Sequence, residues 1–183
     1  MLGLFLFLSA ASPAVVQPPP SAPRCDYDSS ILSLGFDAFD QDMHGGWRAL
    51  ADRPGCGRKA ADVVKSYREK YESLMPILYW HEAQLRASSG DYRAAIPLMM
   101  KSRIWDGDLS GWAPYVDATL AFLRRDKAAL LKARRRLAAW PKPKDWPADA
   151  EWPENFDIVN GLVACFGKSY AIASGKDCRT KSR

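Results

Sequence analysis

The sequence predicts an all-α protein, an array of about three helical hairpins with an extra C-terminal helical cap, and three observations carry that prediction. No stretch of the 183 residues alternates apolar and polar side chains as a strand would, whereas segment after segment places apolar residues three and four apart. Leu78 to Ser102 reads as a pair of helices joined by Ser89-Gly90-Asp91-Tyr92. Ala83 lies seven residues before that glycine and Ala95 five after it, where two helices need small residues to approach closely. Finally, the pairs Ala60-Ala61, Ala94-Ala95 and Ala128-Ala129 recur every 34 residues, preceded by Trp47, Trp80 and Trp112 at intervals of 33 and 32.

The chain opens on Leu2 to Leu8, an apolar run followed by Ser9, Ala10, Ala11, Ser12, Pro13 and Ala14. That order matches a secretory h-region and cleavage site, with cleavage after Ala11 or Ala14, so residues 1–14 are expected to be a signal peptide. No Lys or Arg stands before Arg24. The run is too short to cross a bilayer as a helix, which takes about 20 residues, and no membrane span is expected once it is removed. Residues 15–24, VVQPPPSAPR, form a Pro-rich linker, because successive prolines remove donors and fix φ. A single helical-repeat domain is expected over 25–178, and 179–183 form a basic tail. Four cysteines follow the cleavage site, Cys25, Cys56, Cys165 and Cys178. In an exported chain an even number favours disulfides. Three pairings are possible; Cys25 with Cys56 and Cys165 with Cys178 is favoured, since each bridge then staples one end of the chain to the neighbouring helical unit. A periplasmic or secreted location follows.

Within the domain, Ser29 or Ser30 is expected to cap a first short helix carrying Leu32, Leu34, Phe36 and Phe39, interrupted near Gly45-Gly46. Trp47 to Ala51 begins a second, ended by Arg53-Pro54-Gly55. Lys59 to Glu72 repeats Ala60, Val63, Val64, Tyr67 and Tyr71 at helical spacing. Leu78 to Ser88 and Tyr92 to Arg103 follow, then a loop, then Trp112 to Arg124. Asp126 suits the cap of a helix running to about Ala139, which Pro141 and Pro143 stop. Trp146 and Trp152 lie in an extended, turn-rich connection and are expected to pack back on the helical body. Pro153-Glu154 suits a last helix start, with Ile158, Val159, Leu162, Val163 and Phe166 on its apolar face and Gly167 and Gly175 as terminators.

With Gly90, Asp91 and Tyr92 at the turn, Tyr79 and Ala83 in the first helix and Ala95 with Ile96 in the second, the middle unit resembles the tetratricopeptide (TPR) repeat. The third unit, Trp112 to Trp140, keeps Tyr115, Ala118 and Ala129 but has Arg125-Asp126-Lys127 where the family has Gly and an aromatic. The first, Trp47 to Tyr71, is shorter. The resemblance covers about half of the chain, and the whole is similar to small exported bacterial proteins with TPR-like helices. It implies an α-α superhelix whose first helices line a concave groove. In that register Trp80 and Gln84 come from the middle unit, and Trp112, Tyr115 and Thr119 from the third. Aromatic anchors beside polar groups are the usual composition of a peptide-binding surface.

Catalytic motifs are sparse. His81-Glu82 opens like a zinc-protease motif, but the position for the second histidine is Leu85. Asp40 and His44, four apart, suit one helical face as metal ligands, yet Gly45-Gly46 directly after them favours a turn. Asp106 with Asp108, and Asp149 with Glu151, fall in turn-like segments without apolar surroundings to raise a pKa. No nucleophile elbow, phosphate loop, dinucleotide fingerprint or zinc spacing is present, and neither cofactor nor metal is expected. The net charge of +5 is mild and scattered, densest at Arg134-Arg135-Arg136 and in the tail, and does not point to nucleic acid. The leading expectation is therefore a non-catalytic protein- or peptide-binding or scaffold module of the bacterial envelope. A hydrolase using Asp40, His44 or His81 and a structural accessory subunit are the alternatives. Oligomeric state is left open.

Overall fold

The computed structural model of the protein describes residues 24–73, 75–103 and 110–179. The predicted signal, the linker through residue 23, Asp106, Asp108 and tail residues 180–183 lie outside them. The described residues are all-helical, without a strand. Eight α-helices run α1 (Gly46–Ala51), α2 (Gly57–Lys70), α3 (Pro76–Ser88), α4 (Tyr92–Ser102), α5 (Trp112–Leu123), α6 (Lys127–Ala138), α7 (Phe156–Ala164) and α8 (Tyr170–Ala173).

Local chemistry accounts for most of the boundaries. Gly90, at φ 82°, takes the left-handed turn that closes α3 and is open to solvent. Asp91 then caps α4, accepting from Ala94 N at 3.1 Å, and Asp126 caps α6, accepting from Ala129 N at 2.9 Å. Three boundaries differ from expectation. The first short helix is instead a 3-10 turn (Ser29–Ser33) and a π turn (Asp37–Gln41). Its cap is Asp28 rather than Ser29 or Ser30, because the Asp28 carboxylate accepts Ser30 N at 2.9 Å. Helix α7 starts at Phe156, three residues after Pro153, because Asn155 sits at φ 60° and breaks the helical path. The short α8, capped by Ser169 on Ile172 N at 3.4 Å, lies between the two expected terminators Gly167 and Gly175. Arg179, assigned to the basic tail, is tied back to Ser174 O at 2.8 Å and to Asp157 at 3.4 Å.

Packing follows the hairpin order. α3 lies against α4 and α5 against α6, α2 packs on α3, and α7 covers α5 and α6 before α8 returns to α3. The apolar interior falls into two clusters. One gathers Phe39, Trp47, Leu50, Val63, Val64 and Tyr67 at the N-terminal end, with Phe39 stacked on Tyr67 at 3.6 Å between ring centroids. The other runs from α3 through α8 around Trp80, Tyr115, Phe122, Leu130 and Leu162. Ile77 packs against both. The alanine series behaves unevenly: Ala61 and Ala95 are fully buried, while Ala129 is half-buried and Ala128 exposed, so the third pair lies at the margin of the core.

Each end carries a disulfide, Cys25–Cys56 and Cys165–Cys178, the pairing expected from the sequence. With separations of 31 and 13 residues, the loop-closure model gives each about 3–4 kcal/mol. Between them, Trp146 and Trp152 meet edge to face at 4.7 Å, and Trp152 Nε1 donates to Trp140 O at 3.1 Å, which folds the connection onto the end of α6.

Gly161 in α7 marks a close backbone crossing: a Cβ there would lie 2.6 Å from Ala173 O and 3.1 Å from Cys178 O. Both obstacles are main chain and neither can rotate away. Gly161→Ala is expected to cost about 2–3 kcal/mol, read as a lower urea midpoint with unchanged slope. A neutral substitution would show that the cap is not seated on α7 as described.

Candidate functional site

Four of the five residues predicted to line the groove, Trp80, Trp112, Tyr115 and Thr119, are buried inside the protein, and the fifth, Gln84, is half-buried. Trp80 sits edge-on to Trp112 and Tyr115, each at 5.0 Å between centroids, and Trp112 Nε1 donates to Ser102 O at 2.7 Å. Thr119 is fully buried, its hydroxyl donating to Tyr115 O at 3.2 Å in the backbone manner usual for a helical threonine. The half-buried Gln84 side chain acts on both Tyr115 and Tyr170, pulling their pKa values down against burial. Burial pushes the Tyr170 phenol up to about 12 and Tyr115 well above its ordinary value, so both stay protonated and able to donate.

The expectation of a free groove is therefore corrected. Tyr170 of α8 joins the same buried cluster as Trp80, Trp112 and Tyr115, its backbone N–H donating to the Tyr92 hydroxyl at 2.9 Å. Sequence spacing places side chains on a helix face but does not say which later segment covers it. Trp80, Trp112, Tyr115 and Thr119 are core residues here, with Trp112 the most exposed of the four at 9%.

A second constellation joins residues far apart in sequence. The Asp40 carboxylate, fully buried, accepts from His81 Nδ1 at 2.8 Å, Trp47 Nε1 at 2.9 Å and Gln41 Nε2 at 2.6 Å, while Arg48 donates to its carbonyl oxygen. Burial pushes the Asp40 carboxyl up, but the His81, Trp47 and Arg48 interactions together outweigh it and hold the pKa below the ordinary value. An ionised carboxylate only accepts, so the His81 ring donates to Asp40 through Nδ1. His44, the expected companion of Asp40, is exposed and turned away; its backbone N–H donates to Asp42 instead. A proton-accepting imidazole pinned by a carboxylate is chemically able to act as a general base. No concavity described below reaches it.

Glu82, the next residue, faces the other way. It is buried between Arg68 at 3.0 Å and Arg86 at 2.9 Å, and Arg86 also holds Asp62 at 3.1 Å. The Arg68 guanidinium lies 4.2 Å from the Tyr79 ring centroid. These charges join α2 to α3. Consecutive helical residues point about 100° apart, so His81 and Glu82 never share a site, which removes what the motif-like pair offered.

The third place was missed in the sequence. A cleft of about 270 Å³ opens between α5 and α6. Its floor is Leu120, Ala121, Ala129 and Ala133, and its rim is charged. Asp117 there receives Arg103 at 2.6 Å and Arg136 at 2.9 Å; burial pushes its carboxyl up, but the two guanidiniums hold it below the ordinary value. Two other recesses lie at Gly55, Arg58 and Ser89, of about 500 Å³, and at Tyr27, Ile31 and Arg53, of about 230 Å³. A legible signal for the cleft existed: Arg124 to Lys144 contains nine Lys and Arg against the one acid Asp126.

No family model, curated protein or solved structure matches the chain. What it does must be argued from its own geometry. Among the described residues no helix is long and apolar enough to cross a membrane, and the two disulfides fit an oxidising compartment.

Proposed function

We propose that this protein is an exported, non-catalytic binding module that engages a protein partner in the periplasm or outside the cell, on a scaffold of TPR-like hairpins. One observation carries the reading. Lys127, Lys132 and Arg135 project from α6 into solvent, and none has a carboxylate partner among the described residues. A globular chain usually intersperses both signs of charge on its surface; a helix face of one sign attracts an oppositely charged surface and speeds its encounter. The burial of Trp80, Trp112, Tyr115 and Thr119 within the core supports the outer side of the third hairpin over the first-helix positions as the surface for a partner.

The test is crosslinking in the protein's own envelope fraction, using the full chain with its disulfides intact and H81Q in parallel. The reading expects the same partner with both proteins and no turnover of envelope substrates by the pure protein. The Asp40–His81 hydrogen bond favours one rival, a hydrolase with His81 as base. Turnover by the wild type that H81Q abolishes would establish that rival and overturn the binding reading.

A further inference from the structure

We propose that the α5–α6 cleft is the docking site for an acidic side chain on an extended segment of the partner, with Arg124 and Lys132 receiving its carboxylate. The inference rests on the binding reading above and adds the place and the ligand chemistry.

Every carboxylate at the cleft is already engaged within the fold. Asp117 is shared by Arg103 and Arg136, and Asp126 accepts Ala129 N at 2.9 Å as the cap of α6. The cations are not matched in the same way. Arg124 is exposed, its guanidinium donating to the Met100 sulfur at 3.2 Å, and Lys132 is exposed; neither has a carboxylate partner among the described residues. Two spare cations thus stand over an apolar floor. The cleft has the composition of a site that takes a carboxylate together with the methylenes carrying it.

Size and shape narrow the occupant. At about 270 Å³ the cleft falls just below the roughly 300 Å³ at which small-molecule pockets begin, so it suits one side chain of a peptide better than a whole cofactor. Exposed Met100, at 51%, extends the apolar surface on the α4 side for the residues flanking that side chain. A membrane surface fits less well. The connection after α6 carries Asp145, Asp149, Glu151 and Glu154 against Lys142 and Lys144, a net negative charge that anionic headgroups would repel. An extended segment avoids that repulsion because it need only follow the cleft.

The test uses the full, oxidised chain and a fluorescent peptide of alternating Glu and Ala residues, read by anisotropy, with its Gln counterpart, phosphatidylglycerol vesicles and inorganic phosphate as separate arms. The Glu peptide is expected to bind. The affinity should fall at least about tenfold in R124E/K132E, and by a smaller factor in R124Q/K132Q or when salt is raised. Backbone amide resonances of Leu120, Ala121, Ala129 and Ala133 should shift on titration. Both cations are exposed, so the variants should keep wild-type far-UV dichroism and urea midpoint; a variant that unfolds is replaced in the comparison by the Gln pair. Equal binding of the Gln peptide, unchanged binding by the charge-reversed variant, or tighter binding to vesicles or phosphate than to the Glu peptide would each overturn the proposal. Capture of the native partner that survives in R124E/K132E would sink this site while leaving the binding reading standing. Absence of any partner with both proteins, alongside substrate turnover, would sink the binding reading itself.

Discussion

Trp80→Ala is expected to lower the unfolding free energy by about 3–5 kcal/mol. The indole is 3% exposed and fills the space between α3 and α5, meeting Trp112 and Tyr115 each at 5.0 Å. Removing it takes away both edge-to-face contacts and leaves a void that the helices cannot close, because Ala83, Ala87 and Ala95 already let α3 and α4 approach closely. Urea denaturation of the oxidised protein should show the midpoint falling while the slope stays near wild type. The experiment also separates two roles for the same residue. An anchor in an open groove would lose a partner and leave stability within about 1 kcal/mol. A core residue does the reverse, and a midpoint unchanged by Trp80→Ala would contradict the packing described.

Asp40→Ala is expected to cost a similar amount, about 3–5 kcal/mol, for a different reason. Its carboxylate is the common acceptor for Trp47 Nε1 and His81 Nδ1 in a fully buried position. Alanine leaves both donors facing apolar surroundings, so the loss exceeds that of one hydrogen bond. Asp40→Asn keeps the shape and one acceptor oxygen, and should lose about half as much. The pH dependence gives a further check with a definite sign. The folded pKa lies below the ordinary carboxylate value, so the ionised group's contribution is complete above the unfolded pKa of about 4 and is lost as pH falls through the folded value. The stability gap between wild type and Asp40→Asn should therefore narrow as pH falls below about 4. A gap that widens over that same range would mean that the carboxyl is stabilised in its protonated form.

These two residues also show where sequence reasoning reached and where it stopped. Trp80 was legible as a repeated aromatic because Trp47, Trp80 and Trp112 keep nearly one period. Its neighbours on the same helix face followed from the spacing of 3.6 residues per turn. What the period could not say is that α8 would come back across that face. Tyr170 opens α8 after α7 and the turn at Gly167, and no pattern in that turn encodes its direction. Asp40 and His81 were each conspicuous as titratable groups, yet their pairing spans 41 residues and depends on how the π turn meets α3. The nearer histidine, His44, was the natural partner by spacing and proved to be on the surface.

What the sequence by itself determined is the local part of the protein. The helices arise from apolar periodicity, their starts from Asp91 and Asp126, the α3–α4 turn from Gly90, and a disulfide-bonded chain from its four cysteines. All of these rest on interactions within a few residues, or on composition, and a linear string carries both. Only the tertiary structure decided that four of the predicted groove residues are buried, that Asp40 is braced by His81, and that Arg124 and Lys132 stand over a cleft beside carboxylates already engaged. Each of those facts depends on which helix faces lie against one another, and packing of whole surfaces is the term that sequence periodicity leaves open.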